Sequence, residues 1–136
     1  MNMEAGYSDT PIATKLGFKA GHRFWCEGPG DHPAAERLTQ GLADEVRPGD
    51  PFDVAVVFLE WQSELEEAWP RLLPLLDQRG GLWIAWPKRA SKRPTDLSDS
   101  VVRESGLATG LVDNKVCAID ETWSALRFVV RKANRT

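Results

Sequence analysis

The chain has 136 residues, of which 42% are hydrophobic, and it carries 17 Lys and Arg against 20 Asp and Glu for a formal net charge of −3. This length and apolar content fit one packed domain over residues 1–136, with residues 1–9 expected to be flexible, and they exclude a two-domain chain and global disorder. The slight negative charge speaks against general nucleic-acid binding, and no apolar run approaches the ~20 residues of a membrane span.

In chain order, Thr10-Pro11 followed by Ile12, Ala13, Leu16 and Gly17 predicts a short helix, with Thr10 as cap, Pro11 at the first helical position and Gly17 just past the end. His22–Cys26 predicts a strand, and Glu27-Gly28-Pro29-Gly30-Asp31 a tight loop. Pro33 opens a helix reaching about Ala43, with Ala35, Leu38 and Leu42 on one face. Phe52–Leu59 is almost continuously apolar, as a strand covered on both faces should be.

Gln62–Gln78 places Leu65, Ala68, Trp69, Leu72 and Leu76 at helical spacing, but Pro70 and Pro74 predict a kink or two short helices meeting near Trp69. Leu82–Trp86 predicts a second buried strand, and Pro87–Pro94 a basic loop. Thr95 or Asp96 is expected to cap a helix running to about Ser105. Lys115–Asp120 and Ser124–Lys132 predict two closing strands, too near in sequence for a helical crossover and therefore antiparallel.

Strands alternating with helices imply a mainly parallel sheet. The expected fold is a three-layer Rossmann-like α/β domain with a mixed sheet of about five strands and an antiparallel closing hairpin. Cys26 and Cys117 lie inside predicted strands and read as buried thiols, not a disulfide framework. The first ten residues lack the apolar core of a secretory leader. A reduced, cytoplasmic setting is expected.

Several motifs run from Gly6 onward: G-Y-S-x-T-P, K-L-G-F-K-x-G, L-W-I-A-W-P-K, T-D-L, V-V-R, G-L-V-D-x-K-V-C-A-I-D-E-T-W-S and L-R-F-V-V-R. By these the chain is identified as resembling a small bacterial domain-of-unknown-function family, numbered three thousand and fifty-two. That likeness implies no established activity. The order of elements also resembles a truncated class I S-adenosylmethionine methyltransferase. Such enzymes hold the cofactor with an acidic-x-G-x-G turn after the first strand, and Glu27-Gly28-Pro29-Gly30 stands at that place. Two departures stand out. The chain runs from the next helix directly to the Phe52 strand, omitting the strands whose acidic residue would grip a ribose. Pro29 also removes one backbone N–H from the turn.

Ligands of an open parallel sheet bind outside the carboxyl ends of its strands. That rule gathers Glu27–Asp31, Glu60, Trp61 and Pro87–Arg89 at one edge. Lys88, Arg89 and Lys92, leading to a helix start at Thr95, form a candidate phosphate or carboxylate site. Gly28 and Gly30 permit close approach, and Glu60 and Trp123 complete the candidate ligand-binding set. Asp113, Lys115, Asp120, Glu121 and Arg127 read as cross-strand pairs of the closing hairpin. His22 and His32 fall at opposite ends of the first strand, so no metal site is expected.

No Ser-His-Asp set, P-loop or nucleophile elbow is present. The expected function is therefore a non-catalytic binding or regulatory module. It would recognise a small anionic ligand or a protein partner at an anion-friendly crevice, without nucleic acid or membrane. The alternative is a minimal group-transfer enzyme using an adenosine-containing cofactor such as S-adenosylmethionine.

Overall fold

The structure is a computed structural model and describes residues 10–136. The flexibility expected of residues 1–9, and most of the motif that starts at Gly6, lie outside the described residues. The elements are α1 (Ile12–Leu16), β1 (Arg23–Glu27), α2 (Ala35–Thr39), β2 (Asp44–Glu45), β3 (Phe52–Phe58), α3 (Gln62–Leu72), β4 (Leu76–Pro87), α4 (Asp99–Ala108), β5 (Leu111–Ala118) and β6 (Trp123–Val130). Short 3-10 turns at Leu73–Leu75, Arg89–Ser91 and Lys132–Asn134 complete the path.

Among the described residues the sheet has six strands in the order β2-β1-β3-β4-β6-β5. The four on the β2 side run parallel. The hairpin β5–β6 is antiparallel and inserts β6 between β4 and β5. The sixth strand, absent from the sequence reading, is β2. It is only Asp44–Glu45, paired to Arg23 and Phe24 of β1. Two exposed acidic residues carry no apolar alternation, so no periodicity marks them.

The central strands are buried on both faces, which is why Phe52–Phe58 and Leu82–Trp86 read as apolar runs. One face packs Ala55, Val57, Leu82, Ile84, Trp86, Leu126 and Phe128 against Leu65, Ala68, Trp69 and Leu72 of α3 and Val102 of α4. The other packs Val54, Val56, Phe58, Trp83, Ala85, Trp123 and Ala125 against Ala13 and Leu16 of α1 and Leu38 of α2. Phe52 joins the first of these clusters, beside the β3–β4 register shift between Phe52 and Val54, where the extra residues lie on β4. Each large side chain so buried contributes roughly 1.5–3 kcal/mol relative to exposure. Trp83 is fully buried, and its indole N–H donates to the Leu16 carbonyl at 2.9 Å, fastening α1 to the sheet.

Helix boundaries differ from expectation in several places: α2 opens at Ala35 and not at Pro33, and Leu76, expected on the third helix, opens β4. Pro11 is the cap of α1 instead of its first residue, while Gly17 takes the left-handed C-cap conformation as read. Helix α2 stops at Thr39, because Gln40 and Gly41 both turn to positive φ. Leu42 is left 40% exposed instead of facing the core. Helix α3 runs through Pro70 without a break. Only Arg71 and Leu72 follow it in the helix, and both Pro70 and Glu66, whose carbonyl loses its partner, are exposed to water. Helix α4 begins at Asp99, capped by Ser98 and not by Thr95 or Asp96.

Among the described residues no helix is long and apolar enough to cross a membrane.

Candidate functional site

The chain leaves β1 toward β2 on one side and returns to β3 on the other. The topological switch point therefore falls between the carboxyl ends of β1 and β3, where open α/β sheets bind ligands. A cavity of about 640 Å³ opens there, lined by Glu27, Gly28 and Pro29 from the β1 turn, Phe58 and Leu59 from β3, and Ser63, Glu64, Glu67 and Arg71 from α3. This volume is in the range of small-molecule sites, roughly 300–1,000 Å³.

The turn itself is packed by the protein. Gly28 sits at φ +155°, and a Cβ there would stand 2.6 Å from the Phe58 Cβ. The His32 ring stacks on Phe58 at 4.6 Å between centroids and 6° between planes. Gly30 is different, since a Cβ added there meets nothing within 4 Å. Gly28 is therefore required by the fold, whereas Gly30 is free to vary.

Glu27 is held by two elements. Its Oε1 and Oε2 accept bonds from the two terminal nitrogens of Arg71, each at 2.7 Å. Oε1 also accepts the Trp25 indole N–H at 2.7 Å. Arg71 bonds Glu67 through Nε at 3.0 Å, a pair one helical turn apart. Burial works to raise the Glu27 carboxyl, but the Arg71 and Trp25 bonds outweigh it and hold the group below the usual carboxylate range.

The N-terminus of α3 is also filled. Glu64 Oε1 accepts the backbone N–H of Glu60 at 2.9 Å and of Trp61 at 3.1 Å. Asp96 Oδ1 accepts that of Gln62 at 2.8 Å. Asp96 thus caps a helix distant in sequence and not its own. An incoming anion would find these donors taken.

The expected anion loop is fastened down by its own acids. Arg93 donates Nε to Glu60 at 2.7 Å and forms a two-pronged pair with Asp31, one arm at 2.9 Å. Its guanidinium also lies 5.0 Å from the Trp123 ring centre. Trp123 is 1% exposed and meets Phe58 edge-on, so it is closed to a ligand, while the Glu60 carboxylate, 24% exposed, is already engaged by Arg93. The Thr95 hydroxyl donates to the Glu60 carbonyl and accepts the Leu97 N–H, so it serves the loop and not a helix start. Lys88, Arg89 and Lys92 have no ion-pair partner among the described residues. None of Glu60, Lys88, Arg89, Lys92, Thr95 and Trp123 lines the switch-point cavity, and of the expected set only Gly28 does.

Phe58, Ser63, Glu67 and Arg71 were not foreseen. The one sequence signal was Glu67 and Arg71 at helical i,i+4 spacing beside an acidic-glycine turn. Cys26 is half-buried and not buried as expected, and desolvation still pushes its thiol up to about 12. Among the described residues no cluster of His, Cys, Asp and Glu has the make-up of a metal site.

No family model and no curated protein matches the chain. Solved structures do match its fold. A methyltransferase of calicheamicin biosynthesis, in its SAH-bound form, superposes with a TM-score of 0.60 at 15% identity, over 89% of this chain and 52% of that one. A precorrin-6y C5,15-methyltransferase from Geobacter metallireducens gives 0.56 at 9% identity, over 88% and 86%. A ribosomal-protein methylase from Lactobacillus delbrueckii subsp. bulgaricus gives 0.55 at 10% identity, over 88% and 76%. The chain spans about half the length of the first of these, 52%. The fold is thus Rossmann-like and methyltransferase-like.

Proposed function

We propose that this chain is a cofactor-binding domain of the methyltransferase type that takes a sulfonium nucleoside such as S-adenosylmethionine in the cleft between β1 and β3. The observation that carries this reading is the acid-lined cavity at the switch point, built directly on the Glu27-Gly28 turn. Its walls hold three carboxylates, Glu27, Glu64 and Glu67, against one guanidinium, Arg71. Such a wall favours a cation. A sulfonium and an ammonium against one carboxylate make S-adenosylmethionine a net cation. In enzymatic form the reaction class is group transfer to an acceptor reaching the same strand ends.

Ser63 gives the test. It is an exposed wall residue at the start of α3, outside the core. Thermal unfolding with S-adenosylmethionine at ~100 times its dissociation constant should gain about 2.7 kcal/mol of stability. Ser63→Trp, which fills the cleft, should melt like the wild type alone and lose that gain. No gain in the wild type, or a gain that Ser63→Trp keeps, overturns the reading.

A second reading rests on a separate observation: Lys88, Arg89 and Lys92, on the loop after β4, have no ion-pair partner among the described residues. It makes the chain a non-catalytic module that holds a phosphate or carboxylate there. Titration with inorganic phosphate should then stabilise the wild type, and Lys88→Ala with Lys92→Ala should remove the effect. An equal response in both proteins counts against it.

A further inference from the structure

The cleft is lined for a cation, yet its deepest acid is already bound to one. Arg71 holds both oxygens of Glu27 at 2.7 Å, in the planar fork that fits a carboxylate best. Arg71 is itself one of the residues that line the cleft. Arg71 is 40% exposed against 22% for Glu27, so the guanidinium side of the bridge borders water.

Two features give the guanidinium somewhere to go. Glu67, on the same helix face, already shares it and keeps its charge balanced if Glu27 is lost. Behind it lies a second cavity of about 340 Å³, lined by Trp25, Pro48, Gly49, Asp50, Arg71, Leu72 and Leu75. This chamber exists because the chain passes from β2 to β3 through residues 46–51, without a helix to cover Trp25. Arg71 is the wall common to both cavities. Asp50, at the rim of the second, offers the displaced side chain another carboxylate.

We propose that Arg71 is an internal competitor for the cleft: a cationic ligand binds by taking Glu27 from it, and the guanidinium then turns toward Glu67 and the Trp25 chamber. This rests on the cleft reading given above and adds its regulation. The apparent affinity of such a site falls by the fraction of molecules in the open form, so an open population of about one in ten weakens binding about tenfold. Anything that draws Arg71 away from Glu27 would raise the affinity without touching the ligand.

Isothermal titration with S-adenosylmethionine on the wild type, Arg71→Gln and Glu27→Gln tests the idea. Arg71→Gln should bind about tenfold more tightly than the wild type, and Glu27→Gln more weakly than Arg71→Gln. Leu65, Ala68, Trp69 and Leu72 anchor α3 independently of Arg71, so the variant should fold. If it does not, Arg71→Lys replaces it, because an ammonium cannot grip both oxygens at once, and a several-fold gain is expected. Equal or weaker binding by the Arg71 variants overturns the competitor while leaving the cleft reading intact. No binding to any of the proteins overturns both.

Discussion

A methyl group added at Gly28 would stand 2.6 Å from the Phe58 Cβ and 3.0 Å from the Phe58 carbonyl oxygen. The glycine turn after β1 is thus pressed against the end of β3, and its backbone sits at φ +155°, a region other residues seldom enter. Gly28→Ala should cost about 2–3 kcal/mol from strain and overpacking together. Gly30→Ala, with open space around it, should stay within about 0.5 kcal/mol of the wild type. Urea unfolding of the two variants measures the difference. Equal stability would mean that the turn is looser than its contacts indicate. The comparison also matters for function, because lost ligand binding in a Gly28 variant would report folding as much as contact.

Asp96 is a helix cap placed in space and not in sequence. Its carboxylate takes the Gln62 N–H of α3 at 2.8 Å from 34 residues away. Asp96→Ala should destabilise the protein by about 1 kcal/mol, as the loss of an N-cap does. Asp96→Asn, which keeps an acceptor oxygen, should recover most of that. A chevron or urea midpoint for the pair decides it, and two indistinguishable variants would leave the carboxylate without a capping role.

These two residues show what the chain disclosed and what it hid. Phe52–Phe58 and Leu82–Trp86 were legible because burial on both faces leaves an unbroken apolar run. The antiparallel hairpin followed from the short interval before Trp123. The class of sheet could be read from such local patterns. Strand β2 could not, since Asp44 and Glu45 pair only through backbone groups. The site was harder still. Glu27 meets Arg71 across 44 residues, and Arg93 meets Asp31 across 62. Nothing in the local pattern of residues 88–95 says that Arg93 is neutralised by two acids while Lys88 and Lys92 are not. The candidate set therefore followed unpaired charge, and the cavity followed long-range pairing.

Arg127 is out of balance on β6. Its Nε is buried with no hydrogen-bond partner, and the side chain lies over Gly81. Burial, with the Arg135 charge nearby, lowers its affinity for a proton. Lys115 stands directly across the strand pair, adding a like charge. Among the described residues no carboxylate answers it within an ion pair. Arg127→Met keeps most of the packing, removes the unpaired Nε and gives up only the long, exposed Nη1 bond to Asn114 at 3.4 Å, so it should stabilise the protein by about 1 kcal/mol. A rise in the urea midpoint is the expected reading. A fall would show that the charge is satisfied in solution.

The Glu27–Arg71 pair leaves a mark in the pH dependence of stability. The folded carboxyl lies below its unfolded value of about 4.3, because the Arg71 and Trp25 bonds outweigh the burial that would raise it. Such a group favours the native state above its unfolded pKa, and that contribution is lost as pH falls through the folded one. Asp31 and Asp53 are also held low, by Arg93 and Arg23, so the acid limb of the wild type belongs to several residues. Subtraction isolates one of them. The stability gap between the wild type and Glu27→Gln should be full above about pH 5 and should shrink steadily below about pH 4. Urea midpoints across that interval measure the gap. A gap that stays constant with pH would mean that Glu27 is held by packing and not by its charge, and Arg71 would then have no grip for a ligand to displace.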